Sequence, residues 1–138
     1  MRSRTRSREY ALQMLYQADI RHAPPAEILE EFWRGQEPPP DVKAFADELF
    51  TGTSERLPDI DPLISSHADN WDIKRMAVID RNILRLGVFE LLHRNEAPPK
   101  VVLNEAIELA KRFGDAKSGK FINGILDAVH KAHVRAHR

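Results

Sequence analysis

Between three clusters of proline, apolar residues recur every three or four positions, and no long stretch alternates apolar with polar residues. The first spacing keeps one face of a helix apolar, whereas a strand with one solvated face needs the second. The clusters Pro24-Pro25, Pro38-Pro39-Pro40 and Pro98-Pro99 suit helix starts, because proline is poorly tolerated inside a helix. The pattern predicts seven helices. The first, about 5 to 22, carries Tyr10, Ala11, Met14, Leu15 and Ala18 on one stripe. Others run over about 26 to 34, closed by Gly35, and about 41 to 56. Asp61-Pro62 reads as a cap and first-turn proline opening a fourth helix to about 69.

The segment from about 75 to 94 is the most apolar, with Met76, Ile79, Ile83, Leu84, Leu86, Val88, Leu91 and Leu92 covering most of its circumference, as a central buried helix requires. Gly87 in its middle predicts the close approach of another backbone. A sixth helix, 100 to 113, is stopped by Gly114, with Glu105 and Glu108 on its solvent face and Glu108 in reach of Lys111 and Arg112. The last, about 117 to 135, continues its stripe through Asn123-Gly124, which makes Gly124 a packing site. Short proline-marked links between seven helices predict an all-α bundle fold.

At 138 residues the chain reads as a single domain, residues 1–138, with an ordinary globular composition of 42% hydrophobic and 30% charged residues. It has no cysteine, which removes disulfides and thiolate chemistry and fits a cytoplasmic protein. No apolar run approaches the ~20 residues of a membrane helix, and the basic start is followed by no apolar run of a secretory signal.

Charge changes the picture at one place. Arg2, Arg4, Arg6 and Arg8 alternate with Ser and Thr, and no acid precedes Glu9. The whole chain has formal charge zero, so the residues outside this segment sum to minus four. A flexible arm at residues 1–8 presenting guanidinium forks is suited to phosphate, and a neutral chain confines any nucleic-acid contact to a local patch.

Enzyme motifs are missing: the six glycines form no phosphate loop, and neither G-x-S-x-G nor H-E-x-x-H occurs. His130, His133 and His137 could share a helical face for zinc, but a polar, fraying C-terminus explains them better. Asp80 with Arg81 and Arg85 is either a surface ion-pair cluster or a partner-binding patch. The segment Gly114 to Phe121 forms a turn and helix start with Lys117, Ser118 and Lys120, a setting that favours phosphate. Phe121 either stacks on an unpaired base or anchors the last helix in the core.

Four stretches resemble the NusB family of transcription antitermination factors. They are Arg8-Glu9-Tyr10-Ala11-Leu12-Gln13-Met14-Leu15-Tyr16, the segment Asp80 to Leu91 (DRNILRLGVFEL), the segment Val102 to Gly114 (VLNEAIELAKRFG), and Lys120 to Asp127 (KFINGILD). They follow the family's order over nearly the whole chain, while about 22 to 72 adds little. The resemblance implies about seven helices in two small packed bundles and no catalysis. It implies binding of boxA-type single-stranded RNA in nascent ribosomal transcripts together with NusE, a small-subunit ribosomal protein, and through them other Nus factors and RNA polymerase. It implies RNA contacts at Arg2, Arg4, Arg6, Arg8 and Gln13 and at Lys117, Ser118, Lys120 and Phe121. Partner contacts fall at Tyr16, Asp80 and Arg81, and some members form homodimers. The alternative is an RNA-binding or protein-binding adaptor of the NusB-like kind found with ribosomal RNA methyltransferases. No metal or other cofactor is expected.

Overall fold

In the computed structural model, residues 2–69 and 71–137 are described. Among them are seven α-helices and no strand: α1 (Ser3–Arg21), α2 (Pro25–Phe32), α3 (Pro40–Glu55), α4 (Leu57–Ser66), α5 (Val78–His93), α6 (Pro99–Phe113) and α7 (Ser118–Ala136). A single 3-10 turn, Ile73–Arg75, precedes α5. Helices α2, α3, α4 and α6 each carry proline in the first turn, where a missing N–H costs nothing.

The fourth helix corrects its expected start. It opens at Leu57 with Pro58 in the first turn, so Pro62 lies inside it. A proline there leaves only the Pro58 carbonyl without its i→i+4 donor. Asp61 is no cap; its carboxylate accepts two hydrogen bonds from Arg85 on α5, both 2.9 Å.

Helix α5 is the hub, packing on α1, α3, α4, α6 and α7. Helices α1 to α3 pack on one another and α6 packs on α7, both groups against α5, which is consistent with the two small bundles that the family resemblance implies; α4 packs on α3, α5 and α7. Ile83, Leu84, Leu86, Val88, Phe89 and Leu91 are buried along it, each contributing roughly 1.5–3 kcal/mol of apolar burial. Gly87 does admit a close approach, but by a side chain: an added Cβ would lie 2.8 Å from Leu126 Cδ1 of α7. Gly124 is no packing site, since nothing lies within 4 Å of the same position there.

Two charged networks tie α1 to this hub. Arg8 donates from Nε and Nη2 to the carboxylate of Glu90 at 2.7 and 2.8 Å, with both side chains buried. Asp19 accepts from Arg81 Nε and Nη2 at 2.6 and 2.7 Å, from Asn82 at 2.8 Å and from Arg85 at 3.0 Å. Burial alone would raise the Asp19 pKa, but the bonds from Arg81 and Asn82 and the charge of Arg85 hold it below the usual carboxylate range.

Candidate nucleic-acid interface

The arginine segment is not an arm. Met1 lies outside the described residues, and from Ser3 onward the chain is helix. A spacing of two residues along a helix turns each arginine about 200° from the last, so the four divide between opposite faces. Arg4 and Arg8 both lie over Phe45, with their guanidinium carbons 3.9 and 5.7 Å from the ring centre, but Arg8 is buried and Arg4 stays exposed. Arg94, after α5, lies over the same ring at 4.6 Å and pairs with Glu48 and Glu96. Arg8, expected as an RNA contact, is enclosed at Glu90 and is a structural partner instead. Arg6 is half-buried, with its Nη2 donating to the Tyr10 hydroxyl at 3.2 Å, and Arg2 is exposed. Arg2, Arg6, Gln13, Tyr16 and Ile20 follow one helical stripe of α1, on which Gln13, Tyr16 and Ile20 are all exposed.

The start of α7 is built by Asp115. Its Oδ1 accepts from the Lys117 amide at 2.8 Å and from the Ser118 hydroxyl at 3.3 Å, and its own amide donates to Ser118 Oγ at 3.0 Å. These bonds occupy Ser118, which is buried, and remove it from the expected contacts. The Lys117 amide is likewise occupied, so attraction for phosphate at this turn falls to the side chains of Lys117 and Lys120, both exposed. Phe121 packs half-buried against the core, as expected of an anchor of the last helix, and its ring lies 6.3 Å from that of Trp71 at 70°.

Trp71, Arg75, Met76, Asp80, Lys117, Lys120 and Phe121 line a groove of about 770 Å³. Sequence reasoning missed Trp71, which lies between the periodic segments, and Arg75, at the very start of one; only the 52% exposure of so large an apolar ring marks Trp71. Asp80 opens into the groove instead of pairing with Arg81 or Arg85, which are committed to Asp19 and Asp61. One Asp80 oxygen, Oδ1, is covered and has no hydrogen-bond partner. Burial holds its carboxyl above the usual range, with the Ser118 hydroxyl opposing and the charge of Asp115 adding to the rise.

The two regions are joined along α6. Thr5 donates to Glu105 at 2.8 Å and Arg112 to Glu9 at 2.7 Å, fastening the start of α1 beside α6. Glu105 is thus not a free solvent-face acid, and Glu9 supplies a partner for Arg112 that the spacing on α6 did not suggest. One shallow depression holds Arg2, Lys111 and Arg112 together with Glu9, Glu105 and Glu108, of which Glu9 pairs with Arg112 and Glu108 with Lys111, and a second holds Lys111, Asp115, Lys120 and Asn123. They share Lys111, and Lys120 carries the second into the Trp71 groove, so Arg2 and the start of α7 lie along one surface. At the far end of α7 the rings of His133 and His137 lie 4.2 Å apart, and among the described residues no three metal-ligating side chains gather.

The family model described as the NusB family matches residues 5–131. The chain is 47% identical over 133 residues to a curated transcription antitermination protein NusB of Myxococcus xanthus, covering 94% of this chain and 95% of that one. It is 43% identical to the corresponding protein of Sorangium cellulosum, over 94% of this chain and 92% of the relative. Among solved structures, it resembles T. maritima NusB with a TM-score of 0.84 at 40% identity, covering 93% and 90% of the two chains. It also resembles a chain in a crystal structure of the antitermination factors NusB and NusE in complex with double-stranded RNA, with a TM-score of 0.87 at 34% identity over 96% and 98%.

Proposed function

Because the chain belongs to the NusB family, we propose that it binds boxA-type RNA of nascent ribosomal transcripts together with NusE. The pair then helps RNA polymerase pass terminators through further Nus factors. This is transcription antitermination, the activity named for its relatives. It is carried out by binding and not by catalysis, in the cytoplasm where nascent RNA is made. No helix among the described residues is long and apolar enough to cross a membrane.

The observation that carries the RNA reading is one surface combining cations with an exposed aromatic platform. Arg2, Lys111, Lys120 and Lys117 follow in order toward Trp71 and Phe121. Single-stranded RNA is held by this combination, phosphates on cations and unstacked bases on rings. The partner face is the α1 stripe of Tyr16 and Ile20, both exposed apolar side chains one turn apart. Arg81 is removed from that face by its ion pair with Asp19.

The test is fluorescence anisotropy of a labelled boxA-type RNA against the protein, with and without NusE, beside a scrambled RNA of equal length. Preferential binding that tightens with NusE is expected. Equal weak binding of both RNAs, indifferent to NusE, would overturn the reading.

A further inference from the structure

We propose that the groove between the 3-10 turn and the start of α7 is a binding site for one unpaired nucleotide, with its base stacked on Trp71 and an amino group of that base donating to Asp80. The inference rests on the RNA reading above and gives that surface a specific pocket.

Four observations converge on it. First, the groove, about 770 Å³, is of a size that holds small molecules, and its floor is apolar through Met76 and Phe121. Second, Trp71 is half-exposed while Phe121 braces its ring edge-on, so the indole is held in place without being covered. Every nucleobase has a π-face to lay on such a ring. Third, the rim carries Arg75, Lys117 and Lys120, cations from two elements on which a phosphate can rest. Fourth, Asp80 lies in the same groove with Oδ1 covered and without a donor. The covered oxygen is closed to a ligand, so an incoming donor meets the other oxygen, where a carboxylate makes a charge-assisted hydrogen bond.

The same carboxylate sets a base preference. Adenine, cytosine and guanine carry exocyclic amino groups, any one of which can donate to the Asp80 oxygen that is not covered. Uracil offers one ring N–H between two carbonyl oxygens, which a carboxylate repels. The site therefore favours an amino-bearing base over uracil. A protein segment fits less well, because a cationic side chain seeking Asp80 would have to pass Arg75, Lys117 and Lys120.

The experiment uses the full chain and a labelled boxA-type RNA in which each nucleotide in turn is replaced by an abasic residue. Binding is compared for the wild type, Trp71→Ala, Trp71→Phe and Asp80→Asn, with thermal unfolding of each variant recorded in parallel. Trp71→Ala is expected to weaken binding about tenfold, and Trp71→Phe to retain most of it. One abasic position that weakens wild-type binding should cost nothing in Trp71→Ala, which identifies the stacked base. At that position uracil should bind worse than an amino-bearing base to the wild type, and Asp80→Asn should narrow the difference. Tight RNA binding with every abasic cost unchanged in Trp71→Ala would overturn the pocket and leave the RNA reading standing. So would a Trp71→Ala variant that loses affinity for NusE alone, which assigns the groove to protein. Absence of RNA binding by the wild type would overturn both.

Discussion

Arg8 and Glu90 form a two-pronged ion pair across 82 residues of sequence, with contacts of 2.7 and 2.8 Å in a site where both side chains are about 5% exposed or less. Removing one partner strands the other charge in the interior. Arg8→Ala is expected to cost about 3–5 kcal/mol in urea unfolding. Arg8→Lys should recover only part, because an ammonium cannot reproduce the fork. A loss below about 1 kcal/mol, the range of an exposed pair, would show that the site is wetter than its burial indicates.

Arg2 and Arg6 sit on the opposite face and should behave differently. Converting each to alanine is expected to leave unfolding midpoints nearly unchanged. Each should also reduce the slope of log affinity against log salt by about 0.7 for single-stranded RNA, one phosphate contact apiece. Anisotropy titrations over a range of salt read this directly, and an unchanged slope would remove that arginine from the interface.

Glycines on α5 and α7 should respond with opposite signs. At Gly87 a new Cβ meets Leu126, itself fully buried, at 2.8 Å, so Gly87→Ala is expected to destabilise by about 1–3 kcal/mol. Gly124 is helical and faces open space, so Gly124→Ala should stabilise by about 0.5–1 kcal/mol through the lower backbone entropy of the unfolded chain. Chemical denaturation of the two variants checks both; a loss at Gly124 would mean that RNA-free packing covers it.

Acid should loosen the end of the bundle where α5 and α7 finish. Burial, the Arg56 guanidinium and His133 push the His93 pKa down against the opposing pull of Asp59, and burial with His137 and His130 does the same to His133. Both imidazoles fold preferentially neutral. Their contribution to stability is present above the unfolded value of about 6.5 and is lost as pH falls through the lower folded values. Asp80 has the opposite sign: its raised folded pKa gives a contribution that is lost as pH rises above the ordinary carboxylate range. Unfolding midpoints between pH 7.5 and 5.5 should fall, and a His93→Gln/His133→Gln variant should flatten the profile. A slope that survives in the variant would place its origin elsewhere.

Much of the helical layout was legible because its punctuation is local: proline pairs mark starts and Gly114 marks an end. The fourth helix was misread because two prolines compete there, and Pro58 and Pro62 differ only in which carbonyl each leaves unbonded. The candidate site was legible where charge clusters in sequence, at the arginine segment and at Lys117 and Lys120. It was illegible where a role is set by a distant partner. Nothing near Arg8 announces Glu90, and nothing near Arg81 announces Asp19. Trp71 lies outside every periodic segment, so its exposure and its contact with Phe121 exist only once the chain is folded.

The winding of α1 also makes its first turns sensitive to phase. Inserting two residues between Arg4 and Arg8 would rotate Arg2 and Arg4 by about 200° relative to the rest of the helix. The helix faces of Arg2 and Arg4 would then be exchanged, with the number of positive charges unchanged. In such a segment, counting positive charges says little about affinity for RNA; the angular position of each arginine about the helix axis decides whether it holds the fold or meets a ligand.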